Sequence, residues 1–136
     1  MYSNILVALS LEHGISDIAL SAAKSLLSEG GKITAVHVHE PPNRSILAYL
    51  EEDVIKKSHQ RAKKKLADRL KGEKDVSAVL LEGQSAGRSL NEYANTHGID
   101  CIIVGSYQPG MKDFFLGSTA TRVVRHAHCT VHVLRL

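Results

Sequence analysis

Five short apolar runs punctuate the chain, and stretches of helical periodicity separate them. Ile5-Leu6-Val7-Ala8-Leu9 is almost wholly apolar, as expected of a strand covered on both faces. Ser16 is placed to cap a helix whose buried stripe is Ile18, Ala19, Ala22, Ala23, Leu26 and Leu27, and Gly30-Gly31 is expected to end it. A second strand follows over residues 33–39, stopped by Pro41-Pro42 because proline removes a ladder donor. From about residue 45 to 71, Leu47, Leu50, Val54, Ala62, Leu66 and Leu70 keep near-helical spacing within a mostly charged stretch. So narrow a stripe predicts a helix that packs by one edge.

Residues 76–81 read as a third strand, and Gly83-Gln84-Ser85 turns the chain into a helix that runs through Tyr93 to His97 and is closed by Gly98. Cys101-Ile102-Ile103-Val104 is a fourth buried strand. A glycine-bounded loop over 105–117 leads to a last helix from Ser118 to about His126, and residues 129–134 form a fifth strand. Strands that alternate with helices predict an α/β fold: one domain with an open parallel five-stranded sheet and helices on both faces. Ligands of such sheets sit beyond the carboxyl ends of the strands, which directs attention to residues 8–10, 38–41, 82–85 and 105 onward.

Composition narrows the class. At 136 residues, 43% hydrophobic and 23% charged, the chain is long enough for a real core and reads as soluble and globular. No apolar run approaches the roughly 18 residues of a membrane span, and Met1-Tyr2-Ser3-Asn4 has no leader character, so a cytoplasmic location is expected. The net charge of +3 would favour an anionic ligand but is too small for a nucleic-acid-binding signature. Cys101 and Cys129 each open an apolar run and are expected to be packing residues.

The chemistry concentrates in residues 105–119, Gly-Ser-Tyr-Gln-Pro-Gly-Met-Lys-Asp-Phe-Phe-Leu-Gly-Ser-Thr. Glycine at a strand exit lets backbone approach a ligand. Gly117-Ser118-Thr119 at a helix start offers amide donors and two hydroxyls to a phosphate. The same residues would serve as an ordinary loop with Ser118 as N-cap. Gly105 and Gly110 have the spacing of the first two glycines of a P-loop. Met111 and Asp113, however, stand where that loop requires lysine and Ser or Thr, which excludes it. Arg122 and Arg125 lie in later turns of the helix and read as surface charges.

This loop, the stretch from Gly117 to Ala127 and the closing Cys129-Thr130-Val131-His132-Val133-Leu134-Arg135 resemble the C-terminal signature of universal stress proteins. Asn4-Ile5-Leu6-Val7-Ala8-Leu9, Val36-His37-Val38 and Glu82-Gly83 match the same family, so the resemblance covers residues 1–136. It implies an adenine nucleotide alpha hydrolase-like, Rossmann-like fold and a homodimer through the last strand. It also implies binding of ATP or AMP, with Mg2+ as a companion of the phosphates. Carried over by position, Gly105 and Ser106 bound the phosphate–ribose side, and Gly117, Ser118 and Thr119 hold phosphates. Ala8, Ser10 and Val38 line the adenine and ribose end, with Gly83 in the nearby turn.

The chain departs from the family's Gly-x2-Gly-x9-Gly-Ser/Thr loop in two ways: the span from Gly105 to Gly117 is one residue shorter, and Gly110 falls two places late. Tyr107-Gln108-Pro109 resembles a bacterial subgroup with a Ser-His-Arg-Pro loop that still binds ATP. Ser10 stands where the family usually has aspartate and brings no charge.

Eight histidines raise the question of a metal, but His37/His39 and His126/His128 sit on different elements without a convergent third ligand, so packing and surface roles are expected. Lys63-Lys64-Lys65 reads as a solvated helix face. No nucleophile–base set is identifiable, and the segment after the first strand lacks the Ser-Gly-Gly-x-Asp-Ser of adenylating pyrophosphatases. The expectation is therefore a nucleotide-binding regulator of the stress response with at most slow ATP hydrolysis or autophosphorylation at Ser118 or Thr119. A dimeric interaction module without nucleotide, partnered by an unidentified protein, is the alternative.

Overall fold

The structure, a computed structural model, describes residues 1–11, 16–40, 51–106 and 116–135. The chain runs β1 (Tyr2–Ala8), α1 (Ser16–Leu26), β2 (Leu27–His39), α2 (Glu52–Arg69), β3 (Val76–Glu82), α3 (Ala86–Thr96), β4 (Cys101–Gly105), α4 (Ser118–His126) and β5 (Thr130–Leu134). The strands form one parallel sheet in the order β3-β2-β1-β4-β5. This is the α/β architecture that the alternation predicts. The chain winds outward from β1 to β3, returns to β4 beside β1, and winds outward again to β5.

Alternation of side chains divides the core into two halves. Ile5, Val7, Ile33, Ala35, Cys101 and Ile103 face one way and meet Ala19, Leu20 and Ala23 of α1 and Leu66 of α2. Leu6, Val36, Ile102 and Val104 face the other way and meet Leu90 and Ala94 of α3 and Ala120 and Val123 of α4. Complete burial of an aliphatic side chain contributes roughly 1.5–3 kcal/mol, so β1 and β4, apolar on both faces, anchor the fold. In α2 only Ala62 and Leu66 are buried, which is the edge-on packing that the narrow stripe predicts. Lys63, Lys64 and Lys65 are exposed on that helix.

Three boundaries differ from expectation. Strand β2 begins at Leu27, directly after α1, instead of after Gly30-Gly31. Tyr2 pairs with Leu27 and Asn4 with Lys32, so two steps of β1 oppose five of β2. Gly30, at φ 77°, absorbs the excess where a side chain would be strained. Strand β5 begins at Thr130, leaving Cys129 half-buried just before it. Helix α2 begins at Glu52 after an extended Glu51, so the expected helix from about residue 45 is not continuous; Pro41-Pro42, Leu47 and Leu50 lie outside the described residues, as does the side chain of Ser16.

Burial, then the neighbouring Cys129 and Asp100, push the Cys101 thiol up to about 11, and burial and Asp100 also raise Cys129. A thiol so hard to ionise is a poor nucleophile, which agrees with the packing role expected of both cysteines.

One carboxylate ties the amino ends of β1 and β4 together. Asp100 accepts the Ser3 amide at 2.9 Å, the Ser3 hydroxyl at 3.1 Å and the Asn4 amide at 3.0 Å. The Asn4 side-chain amide donates to the carbonyls of His97 and Gly98. Burial pulls the Asp100 pKa up, but the hydrogen bonds from Ser3 and Asn4 outweigh it and leave the carboxyl below its ordinary value. A lowered carboxyl contributes stability that is complete above the unfolded pKa of about 4 and disappears as pH falls through the folded one. Asp100→Asn should therefore lower stability at neutral pH by roughly 1–3 kcal/mol and flatten the loss of stability below about pH 4. Denaturant titrations at several pH values measure both; acid limbs that run parallel in the two proteins would contradict the assignment.

Candidate functional site

The reversal of winding between β1 and β4 leaves a crevice at the carboxyl ends of the strands. A cleft of about 320 Å3 occupies it, within the size range of small-molecule sites. Ala8, Leu9 and Ser10 enter from the exit of β1, and Val36, His37 and Val38 from β2. Val104 and Gly105 come from β4, Ala86 and Leu90 from α3, and Gly117, Ser118, Thr119 and Ala120 from the start of α4. The strand-end walls are held in place by the sheet: the Leu9 amide donates to the Val36 carbonyl at 2.9 Å, and His37 Nδ1 donates to the Leu9 carbonyl at 2.9 Å.

Of the residues singled out in the sequence, Ala8, Ser10, Val38, Gly105, Gly117, Ser118 and Thr119 converge on this cleft. Gly83 and Ser106 are not among its lining residues. The Gly83 amide donates to the His39 carbonyl at 3.2 Å, and the Ser89 hydroxyl stands where a Cβ would be, an obstacle that rotation of the serine side chain would relieve. The Ser106 amide and hydroxyl both donate to the Leu134 carbonyl, at 2.9 and 3.0 Å, extending the β4–β5 ladder beyond Gly105. The loop residues Tyr107, Gln108, Pro109, Gly110, Met111 and Asp113 lie outside the described residues.

Leu9, Val36, His37, Ala86, Leu90, Val104 and Ala120 also line the cleft without having been singled out as site residues. Leu9, Val36, His37 and Ala120 lie in segments that match the family, whereas Ala86, Leu90 and Val104 are marked only by position, at a strand end or in the first turns of a helix.

Two helices begin at the cleft, and their ends are treated differently. At α3 the Ser85 side chain accepts the Arg88 amide at 3.5 Å, and Glu40 Oε1 accepts the Ala86 amide at 3.3 Å. The chain's own acceptors thus occupy that positive end. At α4 the capping residue is Gly117, which has no side chain with which to meet the first-turn amides. The Thr121 amide makes the first helical bond, to the Gly117 carbonyl at 2.9 Å. The hydroxyls of Ser118 and Thr119 flank the same turn, with Ser118 exposed and Thr119 half-buried. Amides at a helix start without an internal acceptor, beside two hydroxyls, suit an anion such as a phosphate.

His37, His39, His59 and His97 are bound into local contacts. His39 Nε2 lies 3.2 Å from the Ser58 hydroxyl, and His59 pairs with Glu82. Among the described residues no group of three His, Cys, Asp or Glu side chains converges as a metal site. No helix among them is long and apolar enough to cross a membrane.

The model of the universal stress protein family matches residues 1–135. Universal stress protein G of Escherichia coli O157:H7 is 27% identical over 145 residues, covering 99% of this chain and 100% of the relative. Among solved structures, the universal stress protein UspA from Lactobacillus plantarum superposes with a TM-score of 0.77 at 23% identity and 98% coverage of both chains. The universal stress protein from Archaeoglobus fulgidus, solved in complex with dAMP, superposes with a TM-score of 0.63 at 17% identity, again with 98% of both chains covered.

The placement of α4, and with it the turn of Ser118 and Thr119, depends on its contact with α3. A Cβ built on Gly87 would lie 2.8 Å from Cβ of Arg122, an atom fixed to the α4 backbone. Gly87→Val should force the two helices apart and lower stability by about 1–3 kcal/mol. Chemical denaturation tests this, and an unchanged midpoint would show that the helix pair yields without cost.

Proposed function

The chain belongs to the universal stress protein family, and we propose that within it this protein is an adenine-nucleotide-binding regulator whose occupied and empty forms differ in shape or partner affinity. The observation that carries this reading is the contrast across the cleft, apolar at one end and open to anions at the other. Ala8 and Val38 offer flat apolar contact to a base at the exits of β1 and β2. Gly105 permits a ribose to approach the β4 backbone, and Ser10 offers it a hydroxyl. The α4 amides and the hydroxyls of Ser118 and Thr119 take the phosphates.

AMP and ATP both fit this scheme, because the base, ribose and first phosphate are common to them. A magnesium ion would arrive on the phosphates of ATP. The dAMP complex of the Archaeoglobus fulgidus relative supports an adenine nucleotide over other anions. Occupancy, not turnover, is the proposed working event. We also propose self-association at β5, because it is an outer strand of the sheet that pairs only with β4 among the described strands, and such edges invite a second copy.

A ligand at 100 times its dissociation constant stabilises the native state by about 2.7 kcal/mol. Millimolar AMP or ATP should accordingly raise the melting temperature of the purified protein. Gly117→Val should remove that rise, because the new side chain projects at the rim of the cleft. Gly117 sits at φ −58°, which any residue adopts, so the variant should fold with a loss of no more than about 1–2 kcal/mol. A melting temperature that neither nucleotide moves would count against the reading. A rise that survives in the variant would place the site elsewhere.

A further inference from the structure

The cleft does not close at the first turn of α4. Ala86, Ser118 and Thr119 also line a second groove of about 640 Å3, walled by α3 and α4. Arg122, Arg125 and His126 line it too. With Ser118 they are spaced at 118, 122, 125 and 126, so they form one stripe along α4 that leads away from the anion-binding turn. Among the described residues neither arginine has a carboxylate partner: the ion pairs are Lys24–Glu73, His59–Glu82 and Arg88–Glu92. The stem of Arg122 rests against Gly87, which restricts its rotamers before any ligand arrives. Glu40 is the opposing charge on the groove, and its Oε1 is engaged by the Ala86 amide.

We propose that this groove takes the continuation of a nucleotide's phosphate chain, so that the site selects adenosine polyphosphates that extend beyond three phosphates. The proposal rests on the adenine-nucleotide reading of the cleft and deepens it. Phosphates held at Ser118 and Thr119 stand at the junction of the two cavities, because those residues belong to both. Further phosphates along the stripe meet guanidinium groups, whose planar donors match phosphate oxygens. Both arginines are exposed, so solvent screens each contact and the gain per added phosphate is moderate.

Calorimetric titration with AMP, ADP, ATP and adenosine tetraphosphate at one salt concentration tests this. The tetraphosphate should bind about five- to tenfold tighter than ATP. In the variant Arg122→Ala/Arg125→Ala the ratio of tetraphosphate to AMP affinity should collapse. In Lys71→Ala/Lys74→Ala, which removes the same charge from the opposite end of the sheet, the ratio should persist. A tetraphosphate no tighter than ATP, or a ratio that survives loss of both arginines, overturns the groove assignment and leaves nucleotide binding standing. A ratio that falls equally in the lysine variant reduces the effect to net charge and also overturns it. Failure of all four ligands to bind overturns the nucleotide reading itself, and the groove with it.

Discussion

Three residue pairs, Ile5 with Cys101, Leu6 with Ile102 and Val7 with Ile103, join the two strands at which the winding of the sheet reverses. All six side chains are fully buried, alternately on the two faces, so neither strand can slip without exposing apolar surface on both sides. Because the connections leave β1 and β4 in opposite directions, no helix crosses their shared carboxyl end, and a crevice must remain there. Its walls are then set by the exits of β1, β2 and β4 and by the starts of α3 and α4. Asp100 fixes the other end of the same pair through Ser3 and Asn4, so the register is held from both sides of the sheet.

What the crevice can hold follows from how the chain treats its helix ends. At the start of α3, Glu40 and Ser85 accept the Ala86 and Arg88 amides. The start of α4 is capped by a residue without a side chain, and Gly117, Ser118, Thr119 and Ala120 there line the cleft. The asymmetry gives the site a direction: apolar at Ala8 and Val38, anion-seeking at Ser118 and Thr119, and basic further along α4. Gly87, where α3 lies against the stem of Arg122, fixes the position of that anion-seeking turn.

The architecture was legible because its cause is local. Apolar runs such as 5–9 and 101–104 require cover on both faces, and strands alternating with helices leave few topologies open. Most of the site was legible for the same reason, since strand exits and a Gly-Ser-Thr helix start are positions as much as residue types. Gly83 and Ser106 show where that reasoning stops. Each lies beside a strand end, yet the Gly83 amide is bonded to the His39 carbonyl and Ser106 to the Leu134 carbonyl, and neither lines the cleft. Arg122 and Arg125 read as surface charges because nothing in a linear sequence tells which helix lies opposite them, and the groove exists only once α3 is in place. The early start of β2 at Leu27 was hidden likewise, because a bulge around Gly30 leaves no periodic trace.

The proposed site puts an adenine nucleotide in the β1–β4 crevice with its phosphates on the first turn of α4. The most direct test is an amide-resolved NMR titration with AMP. The largest shifts should fall on Ser118, Thr119 and Ala120, with smaller ones at Leu9, Val38 and Ala86, while Arg88 and Glu92 further along α3 move little. Shifts centred on α3, or spread evenly over the basic surface of α2, would contradict it.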